Sequence, residues 1–324
     1  MTTLRLEPSD DLMHEVEDAP NFNESMYFNA FDHVSGVGGF FRLGNRPNEG
    51  YAEMTACVYL PGGGVAFAFA RPPIDGNERF DAGGMRFDVV EPMERQDVTF
   101  EGKLCILADP LQMNDPKAAF TSNPWVEASV RLGFRSIAAA HGGEPAEGEQ
   151  TNEFARGHYV QHVAAAGSIR VGDDAWTLDG LGLRDHSWGR RYWQSVPWYR
   201  WLTGNLGPRD GFLVSLVASA DGSLRTGGIV LRDGEAHPIT DVKIETEWEG
   251  AGQHHGSLRA FVRTAGGEHE IEGKVLSLIP LRNRREGMVT RITEGYTRWH
   301  MDGLEGLGMS EYLDQIVDGR PVGA

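Results

Sequence analysis

The chain of 324 residues is poor in the features that assign a protein at sight. It has two cysteines, Cys57 and Cys105, each in an apolar, strand-like setting, so a disulfide framework is excluded and buried free thiols are expected. Positive charge is scarce: 30 Lys and Arg stand against 47 Asp and Glu, a formal charge of −17. That balance excludes nucleic acid, because little offsets phosphate repulsion, and it disfavours docking on anionic membranes. The one basic cluster, Arg282-Asn-Arg-Arg285, reads as a solvated turn. No stretch approaches the roughly 18 apolar residues of a spanning helix, and the N-terminus carries no apolar leader-like run. A cytoplasmic protein with no membrane span is the expectation.

Chemical signatures are missing as well. No Gly-x-Gly-x-x-Gly follows a strand and no Gly-x-x-x-x-Gly-Lys-Ser/Thr occurs, which argues against dinucleotide and P-loop chemistry. Ser310 in Gly-Met-Ser-Glu-Tyr lacks the second glycine of a nucleophile elbow, and Ser187 lacks the first. Neither Cys-x-x-Cys nor His-Glu-x-x-His is present, so neither a metal nor another cofactor is expected.

What is abundant is glycine, 42 residues, between short β-rich runs such as Tyr51–Leu60, Val65–Ala70, Asp97–Leu107, Val126–Ile137, Phe212–Ala218 and Met288–Trp299. Turn signals at that spacing, with almost no helical periodicity, predict an all-β protein. Two segments look helical: Asp115–Phe120, with Pro116 in its first turn, and Met309–Ile316, with Ser310 as an N-cap. Gly142–Asn152 is acidic, glycine-rich and free of large apolar residues, which reads as a linker. It divides the chain into two β-modules, 1–145 and 153–324, each of lipocalin size and each a barrel or sandwich.

The chemistry concentrates in Gly180-Leu-Gly-Leu-Arg-Asp-His-Ser-Trp-Gly-Arg-Arg-Tyr-Trp193. Taken as a strand, alternation puts Arg184, His186 and Trp188 on one face and Asp185 and Ser187 on the other. Gly180 and Gly182 share the face of His186 and are expected to leave space beside it, as at a ligand-lined barrel wall. The alternative is structural: Asp185 pairs with Arg184 or Arg190, and Trp188 fills a core. His158 and His162 would share a metal on a helix, but on a strand they stand roughly 13 Å apart, too far for one ion. Glu294, Tyr296 and Arg298 share a strand face, as a proton-handling set or a surface ion pair. His254-His255 reads as an exposed loop pair, and Pro20–Phe28 as an irregular cover over a barrel mouth, with Asn23 and Glu24 capping backbone groups.

At Asp185-His-Ser-Trp-Gly189 the chain resembles the lipocalin-like superfamily of carotenoid 1,2-hydratases (hydroxyneurosporene synthases) and AttH-type proteins, with tocopherol cyclases and fungal Diels–Alderases as more distant relatives in fold. The similarity to an uncharacterised bacterial branch extends to Pro20-Asn-Phe-Asn-Glu-Ser, Gly157-His-Tyr-Val-Gln161 and Gly308-Met-Ser-Glu-Tyr-Leu313. The resemblance implies two consecutive lipocalin-like modules with few short helices and a hydrophobic pocket near their junction. It also implies cofactor-independent protonation of an alkene by an acidic side chain. Asp185, His186 and Trp188 match the family segment, whereas Glu294-Gly-Tyr296 matches the later acid–aromatic pair only in a different order.

The expectation is therefore an enzyme that hydrates, dehydrates, isomerises or cyclises a hydrophobic isoprenoid or aromatic molecule. Asp185 or Glu294 would supply the proton, His186 or His162 would orient it or activate water, and Tyr296 would assist. Trp188, Trp193, Tyr199, Trp201, His158, Gln161 and Arg298 would contact the substrate. A non-catalytic carrier of an apolar ligand is the alternative. A homodimer is compatible with the sequence, which does not fix the oligomeric state.

Overall fold

Period-two alternation governs almost every element of the computed structural model, which describes residues 4–145, 154–250 and 253–324. Its strands are β1 (Leu4–Arg5), β2 (Phe22–Phe31), β3 (Gly38–Arg46), β4 (Tyr51–Tyr59), β5 (Val65–Ala70), β6 (Phe80–Ala82) and β7 (Met85–Glu91). There follow β8 (Arg95–Leu107), β9 (Trp125–Ser136), β10 (His141–Pro145), β11 (Gly157–Val171) and β12 (Asp174–Arg190). The remainder are β13 (Trp198–Gly207), β14 (Asp210–Ala218), β15 (Leu224–Arg232), β16 (Glu235–Glu249), β17 (His254–Thr264), β18 (Gly267–Arg285), β19 (Met288–Met301), β20 (Leu304–Val317) and β21 (Arg320–Pro321). One α-helix, α1 (Pro116–Ser122), sits in the excursion between β8 and β9. Among the described residues, no helix is long and apolar enough to cross a membrane.

The chain forms two compact units, Met1–Leu107 with Ser122–Tyr192, and Ala108–Thr121 with Trp193–Ala324. In the first, antiparallel ladders run β2–β3–β4–β5–β8–β9–β11–β12, and β12 pairs back on β2. In the second, β13 to β20 pair in order and β20 returns to β13. Each ring thus closes on itself, its last strand paired with its first. The first barrel's core includes Met26, Phe28, Phe41, Val130 and Phe134, and the second's includes Leu202, Phe212, Val214, Trp299 and Tyr312.

Three sequence expectations change here. The division expected between residues 145 and 153 does not match the compact units, because the first ring closes only when β11 and β12 bridge β9 and β2. Of the expected linker, residues 142–145 belong to β10, and the rest lies outside the described residues. Met309–Ile316 is not helical but part of β20, where alternation and two ladders override the N-cap signal of Ser310. Pro20–Phe28 covers no mouth, since residues 22–28 lie in β2. The helix over Asp115–Phe120 is present as α1, with the Asp115 carboxylate accepting the Ala118 amide. Cys57 and Cys105 are buried free thiols.

Candidate active site

In β12 the alternation read from the sequence holds. Arg184, His186 and Trp188 stand opposite Phe28, Met26 and Glu24 of β2 on one side, and Gln161, Tyr159 and Gly157 of β11 on the other. Cross-strand partners share a face, so these side chains lie with Met26 and Phe28 in the first barrel's interior. Before β2, the 3-10 turn Pro8–Asp11 and the segment after it bring Asp11 and His14 to the same place.

Glu24 is the hub. Its Oε1 lies 2.7 Å from His14 Nδ1 and 3.0 Å from His186 Nε2. Its Oε2 accepts from Asn77 Nδ2 at 2.5 Å, and both oxygens accept the His14 amide. Burial alone would raise its pKa, but the hydrogen bonds it accepts from His14 and His186, with the positive charge either ring contributes when protonated, outweigh it and lower it to about 2. An ionised acceptor requires donors, so His186 presents Nε2–H and His14 presents Nδ1–H. The other ring nitrogen of His186, Nδ1, is buried with no hydrogen-bond partner among the described residues. It is walled by Phe80, Tyr159, Trp188 and His14, with ring centroids 5.8, 5.8, 5.4 and 5.5 Å from its own. His14 stacks on Trp188 at 4.0 Å and keeps 19% of its side chain exposed, whereas His186 and Glu24 keep none.

A second layer adjoins the first. Arg184 donates to Asp11 from Nη1 at 2.6 Å and Nη2 at 3.1 Å, and Tyr159 donates its hydroxyl to Asp11 at 2.6 Å. Burial opposes ionisation of Asp11, but the Arg184 guanidinium, then Tyr159 and the Met93 amide, hold it below the ordinary carboxylate value. Arg184 Nε donates to Gln161, whose amide donates to the carbonyls of Met93 and Ala138. Gln161 and Met93 in turn line an open cleft of about 430 Å³, bordered by Leu6, Pro8, Glu94 and Ile137–Ala140.

His14, Glu24 and His186 are also the set that could hold a metal, their ligand atoms lying within 4.8 Å of one another. Tetrahedral zinc with ligands at about 2.0–2.1 Å separates two ligand atoms by roughly 3.3 Å. The 2.7 and 3.0 Å contacts are hydrogen-bond distances instead.

A family model described as Domain of unknown function (DUF7064) matches residues 7–316. The chain belongs to this family. In fold it is similar to an AttH-like protein from Nitrosomonas europaea, with 14% identity, TM-score 0.66 and 98% of each chain covered. It is also similar to CghA, with 12% identity, TM-score 0.59 and 93% of this chain against 90% of that one. Kievitone hydratase from Nectria haematococca aligns with 9% identity, TM-score 0.56 and coverage of 90% and 88%. The fold is that of the lipocalin-like AttH and carotenoid hydratase group, as Asp185-His-Ser-Trp-Gly189 led one to expect. No curated protein matches the chain at a significant level.

The residues singled out from the sequence are dispersed. His186 and Trp188 meet in the first barrel, with Gln161 one strand pair away, but the acid that meets His186 is Glu24, not Asp185. Asp185 is on the outer face, 3.6 Å from the exposed His158, and Arg184 pairs with Asp11 rather than with Asp185. His162 is buried on that same outer face. Glu294, Tyr296, Tyr199 and Trp201 belong to the second unit and lie on the outside of its barrel. There the Tyr199 hydroxyl donates to Glu311, and Trp193 is half-buried just before β13. Arg298 is exposed, 3.8 Å from Glu305. His254 and His255 are not an exposed loop pair but the buried start of β17.

Gly180 and Gly182 leave no hollow beside His186. A Cβ at Gly182 would lie 1.8 Å from the Asn29 carbonyl oxygen, so these glycines admit the neighbouring backbone. Gly157 makes the room instead: a Cβ there would lie 2.2 Å from the Trp188 indole. Sequence reasoning missed Asp11, His14, Asn77 and the role of Glu24. A signal existed for Glu24, since alternation with Met26, Phe28 and Ala30 places a carboxylate on an apolar face. None existed for Asp11, at the end of a short 3-10 turn, or for His14, in the irregular segment after it.

Proposed function

We propose that the chain is a cofactor-independent enzyme that moves a proton on an apolar isoprenoid or aromatic molecule, in a hydration, dehydration, isomerisation or cyclisation, with His186 as the acid–base group. The observation that carries this reading is the unpartnered Nδ1 of His186, held in an aromatic enclosure by a carboxylate on the opposite side of the ring. Glu24 fixes the tautomer by accepting Nε2–H, which leaves Nδ1 a lone pair. When Nδ1 takes a proton from substrate carbon, the imidazolium is stabilised by the adjacent carboxylate. The proton then returns from Nδ1 to a second carbon in an isomerisation, or to a departing hydroxyl in a dehydration. Phe80, Tyr159 and Trp188 pack against the His186 ring, where their π-systems lie beside the imidazolium that forms. The hydratase named among the structural neighbours is consistent with this chemistry. The cleft is lined by Gln161, which pairs with Arg184, two residues from His186 on the same face.

The test is to incubate the protein with isoprenoid alkenes and prenylated phenols in D2O or in ¹⁸O-labelled water, and to weigh the products. Wild type is expected to insert label, Glu24→Gln to lose at least about 100-fold in rate, and Asp185→Asn to keep it. Recovery of every compound unlabelled would leave the carrier reading in place, and full activity in Glu24→Gln would remove His186 and Glu24 from the chemistry.

A further inference from the structure

One end of the second barrel carries an arrangement that works against folding. Arg282 of β18 stands directly opposite Arg291 of β19. Like charges in that position destabilise a sheet. Arg291 is in turn opposite Asp314 of β20, and Arg200 of β13 reaches the same place, bidentate to Asp314 at 3.0 and 3.1 Å. Arg284 follows Arg282 by two residues and shares its face. His254 and His255, at the start of β17, complete the cluster.

The acids at this end do not balance it. Asp314 is engaged by Arg200, and Glu286 lies 3.8 Å from Arg285. Asp115 favours the charge of Arg282, but no hydrogen bond or ion pair joins them among the described residues. Arg291 is buried and, among the described residues, donates to the neutral side chain and carbonyl of Gln253. Burial first and Arg284 second pull the Arg282 guanidinium below its ordinary value; burial lowers Arg291 too, Asp314 opposing it and Arg200 adding to it. In a chain of formal charge −17, packing guanidinium groups that Asp314 and Asp115 only partly offset at one barrel end is unfavourable unless something anionic completes them.

Rings beside the cluster indicate the rest of the ligand. The Arg200 guanidinium lies 4.2 Å from the Tyr312 ring centroid, 4.8 Å from that of Trp198 and 5.7 Å from that of Trp248. Both tryptophans are only partly buried. We propose that this end of the second barrel binds a small aromatic carboxylate, its oxygens bridging Arg282 and Arg291 and its ring lying among Trp198 and Trp248. Planar guanidinium groups match a carboxylate bidentately, and indoles match an aromatic body. The proposal is independent of the proton-transfer reading, since its residues all belong to the second unit.

Titration calorimetry with 1-naphthoate, 1-naphthalenemethanol and inorganic phosphate at fixed ionic strength tests it. Saturable naphthoate binding is expected, with at least about 10-fold weaker binding of the alcohol and of phosphate. Arg282→Gln should weaken naphthoate by about 10-fold or more, whereas Arg263→Gln, at the far end of β17, should leave it unchanged. Should Arg282→Gln fail to fold by circular dichroism, Arg282→Lys, which keeps the charge but not the bidentate fork, carries the same expectation. Absent naphthoate binding, equal affinity for phosphate, or equal loss in Arg263→Gln would overturn the proposal.

Discussion

Glu24 shows how one side chain joins stability to chemistry. Its carboxyl falls from 4.5 in the ordinary state to about 2 when folded. A lowered carboxylate stabilises the fold above the unfolded value, and that contribution is lost as pH falls from about 4.5 through about 2. The difference amounts to about 3 kcal/mol. Denaturant titrations at stepped pH should therefore show stability dropping across that window, and a shallower drop in Glu24→Gln. His255 gives a second acid slope in a different window. Burial, then Arg200, lower it from 6.5 to about 3, so protonation favours the unfolded chain and stability falls from pH 6.5 downward. In His255→Gln the slope between about pH 6 and 4 should flatten; an unchanged slope there would contradict the assignment. At this scale the sequence was half legible. Parity within one strand placed His186 with Trp188 and apart from Asp185, because that information is local. The acid partner came from another strand, and no spacing in the sequence encodes it.

At the scale of elements, β12 and β20 make contrasting cases. The Gly180–Trp193 segment reads as a strand because its alternation is clean and glycine punctuates it. Met309–Ile316 carries a serine and an early glutamate that imitate a helix start, yet it pairs with β13 and β19 along most of its length. Long-range pairing overrides a local signal of that strength. Glycine is likewise legible as punctuation but not as packing, since only the neighbouring strand shows that Gly182 faces the Asn29 carbonyl. Gly182→Ala should destabilise the protein by roughly 3 kcal/mol or more, because the atom in the way is backbone and cannot swing aside. Gly157→Ala should tilt the Trp188 indole away from His14, seen as a shift in tryptophan emission. An unaltered melting temperature in Gly182→Ala would show that β2 and β12 can part at no cost.

For the whole molecule, composition and turn spacing sufficed for an all-β, two-module architecture. Where the modules divide was not legible. The acidic, glycine-rich stretch near residue 146 has a linker's composition, yet the strands beyond it complete the first ring. Ring closure depends on which distant strands pair, and the hydrophobic pattern is compatible with several pairings. With a pI near 5.0, solubility should reach a minimum around that pH and recover above pH 6, where self-repulsion returns.

Long-range ¹H–¹⁵N correlation spectra of the histidine side chains at neutral pH address the central claim most directly. His186 should appear as the Nε2–H tautomer with an unprotonated Nδ1, and Glu24→Gln should change that pattern. A proton on Nδ1 of His186, or spectra indifferent to the loss of the Glu24 charge, would contradict a carboxylate-poised base in the first barrel.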